Sequence, residues 1–349
     1  MNRKASTFSK GLINVRARIV STASVVGRTE FSGPLGQLFD LHDDTDRFGQ
    51  NTWEQSESEM QRRAMSITMK KLGVSPDDIG AIFAGDLQNQ CVGAAYGLAE
   101  FGAPYFGLYG ACSTSAEAIM LAALTVSGGA FDLAAAVTSS HNCSAERQFR
   151  TPIEYGGQRP PSAQWTVTAA GAFLIATDRS DSPYFKGSSP IISRVMPGIV
   201  VDKGINDANN MGAAMAPAAI DTLTRFFRES GSSPEDYDLI LTGDLGRVGG
   251  EILTSMMKAD GYDISRVYND CGLMIYDGLS RPDVNSGGSG CGCSAAVLSA
   301  YVIPKLTVGE LRNVLYIATG AMMSTSSLQQ GLTIPGIAHL LHLTSSPDR

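Results

Sequence analysis

SPDDIGAIFAGDL, residues 75–87, and SPEDYDLILTGDL, residues 233–245, carry Ser, Pro, Asp, Ile, Gly, Asp and Leu at equivalent places. One structural unit is therefore expected twice. Each copy follows a stretch with apolar residues three or four apart, SEMQRRAMSITMKKLGV at 58–74 and MAPAAIDTLTRFFRESG at 215–231, which predicts an amphipathic helix. Ser-Pro then opens a turn, and IGAIFAG and YDLILTG read as short strands buried on both faces. Downstream, a glycine-led turn enters a helix in both copies, GACSTSAEAIMLAALTVSGG at 110–129 and GCGCSAAVLSAYVIPKLTVG at 290–309, followed by the strands LAAAVTSS and NVLYIATG. Strand, helix and strand in alternation predict a layered α/β fold with helices on both faces of each sheet. The expected halves are residues 1–180 and 181–349.

The bulk properties fit two compact halves. The chain has 349 residues, 43% hydrophobic and 17% charged, which is a globular composition. A net charge of -7 and a pI near 5.2 argue against nucleic acid or an anionic lipid surface as partner. No stretch is expected to cross a membrane, the best candidate being the short apolar run at 119–126. Arg3, Lys4, Lys10, Arg16 and Arg18 are not followed by the apolar block of a signal peptide, so an intracellular protein is expected. The six cysteines are irregularly spaced, which predicts reduced thiols.

Cys112 lies in the first glycine-led turn, where Thr114 and Glu117 have the spacing of a capping box. A cysteine at a helix N-terminus is placed to be a thiolate nucleophile or part of an anion site, or it is simply a small residue that fits a tight turn. Acyl transfer would also need a base. Of the four histidines, His42 falls in the acidic segment LHDDTDRFGQ and His339 and His342 in the C-terminal tail. His141, at a strand end, is left as the candidate, against the alternative of an ordinary hydrogen-bonded histidine. Residues 143–167 read as a long loop carrying Arg147, Arg150 and Arg159, whose guanidinium forks suit carboxylates if they are not merely solvated or paired. Cys291 and Cys293 form one CxC without a second pair, too little for zinc, and the aspartates at 40, 43, 44 and 46 lack the order of a calcium loop, so no metal is expected.

The doubled unit with a cysteine at the first elbow resembles the thiolase superfamily, which implies a five-layer αβαβα fold of two similar halves. Longer strings narrow the match: GPLGQLFD, AGDLQNQ, FGLYGACSTSAEA, TSSHNCSAERQFRTPIEYGGQRP, MGAAMAPAA, DYDLILTGDLGRVG, NDCGLMIY and GGSGCGCSA. Together, over residues 31–340, they resemble the stage V sporulation protein AD family of spore-forming bacteria. That resemblance implies non-catalytic binding of dipicolinic acid, or its calcium chelate, for uptake into the developing spore. It also implies work with the SpoVA membrane proteins, a peripheral place at the spore inner membrane, no cofactor and, from the superfamily, a homodimer. Where ketoacyl synthases carry His-x-x-Asn this chain reads TGDLG, and the second glycine turn reads GCGCSA in place of the usual asparagine or histidine.

The implied ligand pocket comprises Cys112, His141, Asp244, Ser289 and Cys291, with Arg147 or Arg150 as charge partner. A helix N-terminus would meet one carboxylate of the ligand. Asp244 beside a dianion would call for a bridging cation. Two rival readings stand beside this one: an acyltransferase with Cys112 acylated and His141 as substitute base, and a structural subunit of the membrane complex with a vestigial pocket.

Overall fold

A computed structural model of the chain describes residues 11–149, 159–184, 187–276 and 282–346. Its ten principal strands are β1 (Ile13–Gly27), β2 (Ala81–Gly85), β3 (Tyr105–Leu108), β4 (Leu133–Ser140), β5 (Ala169–Thr177), β6 (Ile191–Met196), β7 (Leu239–Thr242), β8 (Tyr268–Asp270), β9 (Asn313–Ala321) and β10 (Gly336–Thr344). They lie in the order β8-β7-β9-β10-β6-β1-β5-β4-β2-β3, within an 11-stranded sheet whose remaining short strand, Leu41–Asp43, pairs beside β1. Each half thus has the order first, fifth, fourth, second, third. In both, the second strand pairs parallel with the third and fourth, and the fifth runs antiparallel to its neighbours. The halves join where β1 and β6 run antiparallel, from Ile13 opposite Val195 to Arg18 opposite Ile191.

The helices that position the site are α1 (Trp53–Leu72), α2 (Val92–Leu98), α3 (Thr114–Ser127), α4 (Asn142–Phe149), α5 (Met211–Ser230), α6 (Gly246–Ala259) and α7 (Cys271–Ile275). To these we add α8 (Cys291–Val297), which continues helically through Leu298–Val302 and Ile303–Val308. Three buried clusters follow the layers. Met60, Ala64 and Met65 of α1 pack on Ile82, Leu133 and Leu174 of the first half. Leu223, Phe226 and Phe227 of α5 pack on Ile240, Leu315 and Leu340 of the second. Between the two half-sheets, Ile119 and Ala123 of α3 and Val297 of α8 share one core with Phe173, Tyr316 and Leu341. The result is a five-layer αβαβα stack. Close packing explains the small residues of the inner strands: a Cβ at Gly171 in β5 would stand 2.6 Å from the Ala295 Cβ.

The Ser-Pro repeat has a local cause. In each copy the aspartate three residues after the serine accepts from the serine amide, Asp78 from Ser75 at 2.8 Å and Asp236 from Ser233 at 2.8 Å. Each also accepts from the serine hydroxyl, which closes the turn into the strand.

Four expectations need correction. Residues 336–344 are a full strand and not a tail, so His339 and His342 lie inside the second half-sheet. Residues 142–149 form a helix and not a loop. Thr114 and Glu117 make no capping box: the Thr114 hydroxyl accepts from Gly110 N at 3.0 Å and donates to the Ala111 carbonyl at 2.7 Å. Among the described residues one stretch, Cys291–Val308, is long and apolar enough to cross a membrane by length and composition, but 72% of it is buried inside the protein.

Candidate functional site

The elbow between β3 and α3 is made by Gly110 and Ala111. A Cβ on Gly110 would stand 2.4 Å from Glu117 Oε2, and Ala111 takes φ +52°, the left-handed region that an alanine enters only under local constraint. The turn delivers Cys112 to the wall of a cavity that offers about 60 Å³ to water-sized occupants, room for a handful of waters. Leu87, Ala145, Phe149, Met211, Ala321 and Met323 supply its apolar surface, and Glu146, Gln164, Thr166, Asn209 and Ser289 its polar groups.

Two very short strands, Trp165–Thr166 and Gly288–Ser289, pair in parallel with Thr166 opposite Ser289, and the preceding Gln164 reaches the Gly288 carbonyl. Cys112 Sγ lies 3.8 Å from Ser289 Oγ. Behind Ser289, Asp244 is almost wholly buried. Its Oδ2 accepts from Ser289 Oγ at 3.0 Å and from Gly290 N at 2.9 Å, and its Oδ1 accepts from Thr319 Oγ1 at 3.0 Å. The strand end of the second half therefore faces the elbow of the first.

The electrostatics run against a nucleophile. Burial, and then the neighbouring Asp244 carboxyl, push the Cys112 thiol well above its ordinary pKa. Burial also raises Asp244, although the donors around it pull the other way. The thiolate expected from the helix N-terminus is thus disfavoured, because desolvation and a nearby acid outweigh the end of the helix dipole. No histidine or lysine is among the described residues that line the cavity.

The structure brings together Cys112, Ser289 and Asp244 from the sequence-derived set. Cys291 lies in the same small apolar cluster as Cys112 but is sealed, its thiol donating to the Ser139 carbonyl at 2.9 Å. His141 is not in the cavity wall. Its ring is fully buried against Trp53, Nε2–H donates to the Asp46 carbonyl at 2.9 Å, and Nδ1 accepts from Cys143 N at 3.2 Å. Both nitrogens hold the entry to α4, which leaves neither for a substrate. Arg147 lies outside the wall, exposed and paired with Glu54. Arg150 falls outside the described residues. The guanidinium bound to the wall is that of Arg159, which meets Glu146 at 2.9 Å and donates to the Gln164 carbonyl at 3.1 Å.

Gln164, Glu146, Phe149 and Asn209 were not singled out from sequence. Glu146 and Phe149 stand inside the distinctive SAERQF string, whereas Gln164 gives no signal until the two short strands pair. Among the described residues no group of three or more His, Cys, Asp or Glu is arranged to hold a metal ion.

Comparison with known proteins agrees with this geometry in fold and goes further in family. The profile of the family described as Stage V sporulation protein AD matches residues 10–344. The Stage V sporulation protein AD of Bacillus subtilis (strain 168) is 44% identical over 321 residues, 91% of each chain. Among solved structures, cerulenin-bound Xanthomonas campestris OleA superposes with a TM-score of 0.58 at 14% identity, over 95% of this chain and 97% of that one. A variant of the same protein gives 0.58 over 94% and 98%. OleA is a thiolase-fold protein, so the likeness shows a thiolase-like fold.

Proposed function

Because the chain belongs to the stage V sporulation protein AD family, we propose that its elbow cavity binds dipicolinic acid, free or as its calcium chelate, during sporulation, without forming a covalent bond to it. The observation that carries this reading is the replacement of a base by an acid at the elbow. Cys112 faces Ser289 and Asp244, its thiol is held neutral, and no histidine or lysine is among the described residues that line the cavity. What remains is a largely apolar slot with a few convergent polar groups, whose about 60 Å³ has to widen for a ring-sized ligand to enter. Its apolar wall suits a planar aromatic ring. Arg159, half-buried beside Glu146, supplies a guanidinium for a carboxylate.

Calorimetric titration with dipicolinate, with and without equimolar calcium, tests the proposal. One ligand per chain is expected, and Cys112→Phe, which fills the cavity, should abolish the signal. No heat of binding under either condition would overturn it. The rival transferase is separated by intact mass after exposure to acyl thioesters, where Cys112 should stay unmodified.

The proposal extends to assembly. Among the described residues strand β3 ends the sheet without a further partner, and Tyr105 and Phe106 on it, with Tyr109 just beyond it, are exposed large side chains. Such an edge invites pairing. A second copy is the natural occupant, and light scattering should report a dimer that Phe106→Lys weakens. Delivery of the ligand to SpoVA membrane partners at the spore inner membrane belongs to the same proposal and draws on the family alone.

A further inference from the structure

We propose that Gln164 is the specificity-determining residue of the cavity and that it accepts a hydrogen bond from the ligand, so the site takes a planar acid through an end bearing O–H or N–H. The inference rests on the reading of the cavity as a binding site and adds the protonation state of what is bound.

The Gln164 side chain is 6% exposed, and its amide has only one workable orientation. Its Nε2 group donates to the Asp244 carbonyl at 2.7 Å and to the Gly288 carbonyl at 3.0 Å. Turning the amide over would set its oxygen against two carbonyl oxygens, acceptor against acceptor. Oε1 is therefore directed away from both, and it is buried without any partner. Native proteins leave few such atoms, and because Gln164 is one of the residues lining the cavity, its unmet acceptor marks a place for a donor that arrives from outside.

Ser289 and Asp244 supply none. The Ser289 hydroxyl gives its proton to Asp244 Oδ2, which leaves its oxygen with lone pairs only. Asp244 accepts through both oxygens. The Cys112 thiol is a weak donor. A carboxylate pushed against this end of the cavity would meet acceptors and pay for its lost hydration. A carboxylic acid or a carboxamide would instead donate to Gln164. The ionised end of the same ligand then lies toward Arg159.

The test compares dipicolinate with its monoamide, in which one carboxyl is replaced by a carboxamide that donates at any pH. Calorimetry at pH 8 should find the monoamide about tenfold tighter on the unmodified protein, the span of one well-made hydrogen bond. Gln164→Met should reduce that preference to about twofold or less. Equal affinity of dianion and monoamide for the unmodified protein would overturn the inference while leaving the binding site standing, and this arm decides even if Gln164→Met fails to fold. An undiminished preference in a folded Gln164→Met would also overturn it. Failure of both ligands to bind would remove the binding site itself.

Discussion

The two central helices begin alike and end in different employment. Ser115 and Ser294 touch hydroxyl to hydroxyl at 2.6 Å between the half-sheets, and each stands three residues after a cysteine, Cys112 and Cys291. Cys112 opens on the cavity. Cys291 is fully buried with its thiol spent on a strand carbonyl, and the following Gly292 is so tightly held that a Cβ would stand 2.2 Å from the Ala169 carbonyl oxygen. The strand-end aspartates of the repeat divide in the same way. Asp86 is consumed locally, accepting from Gln88 N at 2.7 Å and Ala94 N at 2.6 Å, whereas Asp244 organises Ser289, Gly290 and Thr319 beside the open elbow. Duplication supplied two equivalent places, and packing closed one of them.

The sharpest way to break this contrast is to add one methyl group to the sealed side. Gly292→Ala should destabilise the protein by about 3 kcal/mol, the upper range for overpacking, as read by urea unfolding. A cost under about 1 kcal/mol would mean the second elbow is not closed. Next, the two cysteines should differ when truncated. Cys291→Ala loses a buried thiol and its hydrogen bond and should cost about 2 kcal/mol, whereas Cys112→Ala, at a cavity wall, should cost about 1 kcal/mol or less. Equal losses would contradict the asymmetry.

The aspartates sharpen it through pH. Burial first, and then Glu57, raise Asp86 to about 8, while burial raises Asp270 and Glu30 to about 7. Each holds its proton in the folded state after the unfolded chain has released it, so its stabilisation is complete below about pH 4 and is lost as pH rises to the folded value. Burial lowers His339 and His342 to about 4, so their effect is opposite and is confined to the interval below about 6.5. Stability should therefore fall most plainly as pH rises from about 6.5 toward 8, with Asp86 contributing to that fall. Asp86→Asn should flatten that interval in thermal melts. An unchanged slope would remove Asp86 from the explanation. The smallest effect concerns reactivity: with its thiol pushed up, Cys112 should alkylate more slowly with iodoacetamide at pH 7 than a free cysteine, and faster labelling would restore the nucleophile reading.

Much of the fold was legible because the Ser-Pro-x-Asp turn, the apolar strand and the glycine-led helix each have local causes that recur in both halves. The central strands β1 and β10 were not, since polar residues in them have partners far away in sequence. Arg18 is buried against Asp178 and the Ser189 carbonyl, and His339 accepts from Gly198 N at 3.0 Å. The site divides similarly. Cys112, Asp244 and Ser289 stand at repeat landmarks and could be picked out, whereas His141 looked equally well placed at its strand end and is instead taken up by the Asp46 carbonyl and the Cys143 amide. Gln164 enters only through tertiary contacts that no spacing announces, and Arg159 was one of three loop arginines that sequence alone did not rank.

A crystal structure obtained with dipicolinate decides most directly whether the open elbow is a holding site. Planar density in the cavity beside Cys112, Phe149 and Ser289, with Sγ unmodified, is the expected result; ligand bound elsewhere on the chain while this cavity stays empty would contradict it.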